Sequence, residues 1–104
     1  MGQVLGLMHG RPAHPWTVGS LADAAGISRA ALARRFTDVM GEPPMAYLTG
    51  WRLALAADLL SDPEATIASV ARQVGYSTPF ALSAAFKRER GMSPQQYRLR
   101  DVSA

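Results

Sequence analysis

The stretch Val70–Tyr97, VARQVGYSTPFALSAAFKRERGMSPQQY, decides the fold. It reads as a short helix, a turn at Gly75, a longer basic helix, and a Ser93-Pro94 start to one more helix. Glycine suits such a turn because it reaches positive φ without steric cost. An earlier stretch, Leu21–Tyr47, LADAAGISRAALARRFTDVMGEPPMAY, has the same arrangement. Thr17, Ser20, Ala22, Gly26 and Ser28 align with Thr66, Ser69, Ala71, Gly75 and Ser77. After one extra residue in the second copy, Leu32, Phe36, Gly41, Pro44 and Tyr47 align with Leu82, Phe86, Gly91, Pro94 and Tyr97. The chain is an internal duplication, and the remaining segments cap or connect its two copies.

In the first copy, Trp16 precedes Thr17, a good N-cap, and is placed to close over the helix start. Val18 to Ala25 is then a short helix, and Ser28 caps a second one running to about Met40. Leu32, Phe36 and Val39 recur at i, i+4 and i+7, which predicts that all three face the core. Arg29, Ala30, Ala33, Arg34 and Thr37 point away. In the second copy Thr66 caps Ile67 to Val74, and Ser77 or Thr78 caps a helix to about Arg90. Leu82 and Phe86 pack inward there, while Ser83, Ala84, Lys87 and Arg88 lie outward. Tyr76 takes the place of Ile27 at the turn. A last helix runs from Ser93-Pro94 to about Leu99, and the tail Arg100 to Ala104 is expected to fray.

Before the first copy, Gln3 to His9 forms a short amphipathic helix, ended by the two prolines of Arg11-Pro12-Ala13-His14-Pro15. Between the copies, Pro44 opens a long helix to about Ser61. Leu48, Trp51, Leu55 and Leu59 form its apolar stripe, widened by Leu53, Ala56, Ala57 and Leu60. We read it as a strut between the copies, roughly 27 Å long for about 18 residues. The expected organisation is residues 1–43 as a first helix-turn-helix subdomain, 44–61 as a linker helix, and 62–104 as a second subdomain. No segment alternates with a strand period, so the fold class is all-α.

Size and composition set the remaining bounds. The 104 residues allow one small domain or two tightly packed subdomains, and 48% apolar content supplies a core. There is no cysteine, which removes disulfides and thiolate metal sites. No apolar run is long enough to span a bilayer, and the start MGQVLGLM lacks the leading charge of a signal peptide. The net charge is only +3. Its placement is more informative: Arg29, Arg34 and Arg35 sit on the second helix of copy one. Lys87, Arg88, Arg90, Arg98 and Arg100 cluster on or just after that of copy two. Basic clusters usually mark a solvated face, but their place on or just after these two helices favours a nucleic-acid footprint.

A helix, a glycine turn and a second helix with a polar outer face make the DNA-binding helix-turn-helix, whose second helix enters the major groove. The helix starts at Thr17, Ser28, Thr66 and Ser77 present backbone N–H groups and hydroxyls to phosphates. Arg34 suits the O6 and N7 acceptors of guanine, and Ala30 and Ala33 suit thymine methyl groups. Lys87, Arg88 and Arg90 suit phosphates. Two such units on a strut of this length suit successive major grooves on one face of a duplex, ~34 Å apart.

GYSTPFALSAAFKRERGMSPQQYR resembles the C-terminal signature of the AraC/XylS family of bacterial transcription regulators. LADAAGISRAALARRFTDVMGEPPMAYL resembles that family's first helix-turn-helix. The resemblance spans about Trp16 to Arg100. MHGRPAHPWTV and PPMAYLTGWRLALAADLL further resemble the subgroup with an N-terminal cupin domain. The resemblance implies seven helices in two homeodomain-like subdomains, a cytoplasmic location, and transcription regulation through double-stranded DNA and RNA polymerase. It also implies a sensing or dimerising domain outside this chain. By position, it places base reading on Ala30, Ala33 and Arg34 in the first unit and on Pro79, Phe80 and Ala84 in the second. The family commonly has arginine at the position of Ala84. The first unit is therefore expected to supply most hydrogen-bonded readout, and the second to hold phosphates and make apolar contacts. Phe80 has two readings, base contact or core packing.

Other chemistry finds little support. His9 and His14 flank a proline-rich break with no cysteine or acidic pair beside them, so no metal site is expected. Glu42, Asp58, Asp62 and Glu64 make no catalytic pair by spacing, and no Ser/His/Asp arrangement is arguable. No cofactor and no enzyme activity are expected. Trp16 and Trp51 are expected in the core. The competing reading is a helical protein-interaction module with weak or non-specific DNA binding, suggested by Ala84 and the modest charge.

Overall fold

The structure is a computed structural model that describes the backbone of residues 1–103 and the side chains of residues 1–100. Its helices are α1 (Gly2–Gly10), α2 (Val18–Ala25), α3 (Arg29–Met40), α4 (Pro44–Leu59), α5 (Ile67–Val74), α6 (Pro79–Arg90) and α7 (Pro94–Ser103). Among the described residues there is no strand, and no helix is long and apolar enough to cross a membrane. The chain forms two compact units, Met1–Trp51 and Arg52–Ala104. α4 begins in the first and continues into the second.

In the first unit, α1 packs on α2 and α2 on α3. Thr17 caps α2 through a reciprocal box: its hydroxyl oxygen accepts from the Ser20 N–H at 3.0 Å, and the Ser20 oxygen accepts from the Thr17 N–H at 2.9 Å. Such a cap is worth about 1 kcal/mol. α2 ends at Gly26, whose φ of 70° lies in the left-handed region. The Ile27 N–H then reaches back to the Ala22 carbonyl at 3.1 Å. Leu21, Ala22, Leu32 and Phe36 are buried with Val4 and Met8 of α1 and Leu48 of α4. Trp16 is buried as expected, and its indole N–H donates to the Arg11 carbonyl at 2.9 Å. Gln3 of α1 donates to the Ala24 carbonyl in the last turn of α2. His9 is engaged with Tyr47, 2.7 Å from its hydroxyl, and its ring lies 4.2 Å from that of Trp51.

The second unit repeats this construction. The Thr66 oxygen accepts from the Ser69 N–H at 3.0 Å, Gly75 ends α5 at φ 101°, and the Tyr76 N–H returns to the Ala71 carbonyl at 2.8 Å. Val70, Ala71, Val74, Leu82 and Phe86 fill the core against Leu53, Ala56, Ala57 and Leu60. Tyr76 packs at its edge as Ile27 does in the first unit. Phe36 meets Tyr47 edge-on with ring centroids 5.5 Å apart and planes at 65°. Phe86 meets Tyr97 at 5.5 Å and 69°. Truncating either phenylalanine would cost about 3–5 kcal/mol, a large part of the roughly 5–15 kcal/mol that stabilises a small domain.

Four expectations change. Val39 is 66% exposed. The buried stripe of α3 advances by four, through Leu32, Phe36 and partly buried Met40, and each such step drifts about 40° round the helix. Val39 is left on the trailing side. On α4, the buried positions after Trp51 are Leu53, Ala56, Ala57 and Leu60, while Leu55 and Leu59 are only partly buried. The supposed flank is thus the core face. Trp51 is half-buried, and its enclosed indole N–H has no hydrogen-bond partner. Finally, α7 runs on to Ser103 instead of stopping near Leu99. A reciprocal cap between Ser93 and Gln96 starts it, and neither glycine nor proline interrupts it between Gln95 and Ser103. The expected fraying extends to Ala104, which lies outside the described residues.

Candidate nucleic-acid interface

The second helix of each helix-turn-helix, α3 in the first unit and α6 in the second, is held by a short-range chain of constraints. In the first unit, the left-handed Gly26 turns the chain, and the Ser28 oxygen accepts from the Ala31 N–H at 3.1 Å to start α3. In the second, the Thr78 oxygen accepts from the Ala81 N–H at 3.0 Å to start α6, with Pro79 in its first turn. The extra residue of the second copy therefore precedes the cap. Ser77 belongs to the turn, and the counterpart of Ser28 is Thr78. Each capping oxygen accepts one backbone N–H, which leaves its hydroxyl proton and the remaining first-turn N–H groups available to an anion, one fewer on α6 because Pro79 has none. Of the four helix starts expected to do this, Thr17, Ser28 and Thr66 are caps, and Thr78 replaces Ser77.

With the caps aligned, α3 and α6 correspond position by position. Arg29 matches Pro79, Ala30 matches Phe80, Ala33 matches Ser83, Arg34 matches Ala84, and Thr37 matches Lys87. Ala30, Arg34 and Thr37 are exposed on α3, and Ala33 is half-buried. On α6, Pro79, Phe80, Ala84, Lys87 and Arg88 are exposed, and Ser83 is half-buried. Phe80 is 81% exposed, which removes its core-packing reading. Both helices bury the opposite face through a leucine and a phenylalanine, Leu32 with Phe36 and Leu82 with Phe86.

The cations divide by what they touch. Arg34 is exposed in mid-helix. Arg29 is exposed too, but its guanidinium lies against Gly19 in the first turn of α2, where an added Cβ would come within 2.9 Å of it. Arg88 lies 3.5 Å from the neighbouring Glu89, an exposed pair worth little in water. Arg90 sits over the Phe86 ring, 5.6 Å from its centroid. Arg98 is different. It is half-buried, and its guanidinium donates to the carbonyls of Leu60 at 3.2 Å and Ala65 at 2.6 Å. It therefore leaves the basic cluster in which the sequence placed it and ties α7 to the segment before α5.

Among the described residues of the second unit, two groups are electrostatically perturbed. Burial raises the Tyr76 phenol above its ordinary value, an effect opposed by Arg52 and Arg88 and reinforced by Glu89. Burial likewise lowers the Arg52 guanidinium, against the influence of Tyr76. Among the described residues, no group of three or more His, Asp or Glu is placed to hold a metal ion.

These features define a class: a tandem helix-turn-helix protein whose two second helices each bury one face and expose the other. The profile of the "Helix-turn-helix domain" family matches residues 21–100. The chain is 52% identical over 91 residues to a putative AraC-like transcription regulator of Streptomyces lividans, covering 88% of this chain and 30% of that protein. It is 47% identical over 98 residues to a putative AraC-like transcription regulator of Streptomyces antibioticus, covering 94% and 32% respectively. Among solved structures, the DNA-binding domain of AdpA, a global transcriptional factor in complex with a target DNA, superposes with a TM-score of 0.88. That pair is 31% identical, over 94% of this chain and 88% of the other. The chain belongs to the AraC-like helix-turn-helix family, and spans about a third of the length of the curated relatives it matches.

Proposed function

We propose that this chain binds double-stranded DNA sequence-specifically, with α3 and α6 in adjacent major grooves, and that it does so to regulate transcription. The observation that carries the reading is the paired exposure on α3 and α6, equivalent helices with equivalent caps and buried faces. Family membership and the likeness to a domain in complex with DNA support it.

The roles follow from the side chains. Arg34 hydrogen-bonds a base edge in the first half-site, with guanine as the favoured base. Ala30, Ala33 and Thr37 let α3 approach closely. Lys87 and Arg88 hold phosphates in the second half-site, and the helix starts at Thr17, Ser28, Thr66 and Thr78 hold others. Ser77, in the turn before α6, stands beside this last cap. Arg29, over the first turn of α2, takes a phosphate instead of a base in this reading. In a full-length regulator of this kind, a sensing domain and contact with RNA polymerase would decide when binding changes transcription, in the cytoplasm.

Selection from random duplexes of about 25 base pairs tests the reading, since two half-sites lie about one helical turn apart. Two enriched blocks with that spacing are the expected result. Salt-sensitive binding with no enriched block would remove sequence specificity. No binding to any duplex would return the chain to the class of protein-interaction modules.

A further inference from the structure

We infer that the second unit selects thymine through its 5-methyl group, and that Phe80 is the residue that reads it. The inference rests on the DNA-binding reading above and names what α6 recognises.

The argument begins with what α6 lacks. Its first two turns, Pro79 to Ala85, carry no side-chain N–H, and Ser83 holds their only hydroxyl. Ser83 is half-buried, while Pro79, Phe80 and Ala84 are exposed. These are the turns of a recognition helix that meet base edges. Guanine, adenine and cytosine are distinguished in the major groove by hydrogen-bonding groups, with which an apolar face forms no bond. Thymine alone adds a methyl group.

Phe80 then needs an explanation. A phenylalanine 81% exposed leaves most of its ring in water, although the chain buries both its other phenylalanines completely. Ala30 stands at the same helix position in the first unit, so nothing in the shared construction demands a large side chain there. Phe80, Ala84, Lys87 and Arg88 follow at i, i+4, i+7 and i+8, one face of α6. The two cations in the last turn suit phosphates and would seat the apolar start of the helix against the bases. Arg34 in the first unit has no counterpart on this face, because Ala84 takes its place. The hydrogen bonds of Arg34 in one half-site therefore have their counterpart in the methyl contact of Phe80 in the other.

The test uses a duplex enriched in the selection above. Each thymine is replaced in turn by deoxyuridine, which keeps every hydrogen-bonding group and removes only the methyl. Binding is measured for the parent chain and for Phe80→Ala, whose melting temperature should match the parent because the ring is exposed. The expected result is a loss of about fourfold per critical methyl for the parent, the effect of burying one carbon's worth of apolar surface. The same replacement should have no effect on Phe80→Ala. Equal binding of thymine and deoxyuridine duplexes by the parent overturns the inference, and so does an undiminished uracil penalty in Phe80→Ala. Absence of any enriched duplex fails earlier and overturns the DNA-binding reading itself, so the two failures are distinct.

Discussion

Arg98 donates from Nη2 to the carbonyl oxygen of Ala65 at 2.6 Å, one residue before the Thr66 cap of α5. A second bond, from Nε to the Leu60 carbonyl, fastens the end of α4 to the same guanidinium. One charged side chain thus closes the loop between α4 and α5 from across the unit. Hydrogen bonds to charged groups contribute about 1.5–3 kcal/mol, and Arg98→Ala also strands two carbonyls. We expect it to lower the stability of the second unit by about that amount in chemical denaturation. Arg98→Lys should recover only part, because an ammonium cannot reproduce the fork. Full stability of Arg98→Ala would return Arg98 to the surface basic cluster.

Arg34 and Lys87 should fail in different ways. Arg34→Ala should cost ~1–3 kcal/mol at one base position and little at the others. Lys87→Ala should weaken all sequences alike and flatten the dependence on salt. Binding titrations against site variants at several salt concentrations separate the two. A uniform loss for Arg34→Ala would make it a phosphate contact, and a base-selective loss for Lys87→Ala would make that residue a reader.

Ala84→Arg places on α6 the side chain that Arg34 provides at the matching position of α3. Ala84 is exposed, so folding should be unaffected. The variant should acquire a guanine preference of about tenfold or more in the second half-site, within the range of a bidentate contact. An unchanged selected sequence would mean that this position lies too far from the bases to read them.

Gly19→Ala probes Arg29. The new Cβ would press on a flexible guanidinium, which can move, so the helix should be no less stable, and alanine is the better helix former. The displaced arginine should weaken binding equally on all sequences. If affinity holds while the melting temperature rises, Arg29 makes no phosphate contact over α2.

Tyr76 should give the second unit an alkaline limit. Its phenol titrates above the ordinary value of 10.0, chiefly because of burial. The fold thus favours the neutral form. That contribution is fully present below pH 10 and is lost as pH rises through the raised folded value. Melting temperatures of the parent should fall more steeply above pH 10 than those of Tyr76→Phe. Parallel curves would assign the alkaline loss to other groups.

Most of the fold was legible because its determinants are local and repeated. A hydroxyl caps a helix three residues ahead, and glycine ends one wherever φ must turn positive. Both rules act within a few residues, and the duplication states each twice. What escaped depended on packing. Val39 obeys the heptad spacing but falls off a stripe that advances by four. α4 carries apolar residues on most sides, so periodicity alone could not choose between Leu55 and Ala56 as the inward position. The bond of Arg98 joins residues more than thirty apart, beyond any local pattern. On the site, Arg34 and Ala84 were readable by position because the repeat defines equivalent places. The cap at Thr78 was less so, since Ser77 and Thr78 are chemically alike. The exposure of Phe80 was signalled by the repeat, which puts it at the place of outward-facing Ala30, and by the family resemblance, but an aromatic residue in a helix fits a core equally well, so two readings stood.

The matched rings of Phe36 with Tyr47 and Phe86 with Tyr97 carry a consequence for how such a protein changes over generations. Each unit locks α3 or α6 from behind, with the same two rings at nearly the same angle, while Arg34 and its counterpart Ala84 stand on the outer surface. Selection can rewrite one outer face without disturbing its scaffold, and can leave the other half untouched. A regulator so built can drift toward a new operator one half-site at a time, still anchored by the half that has not moved.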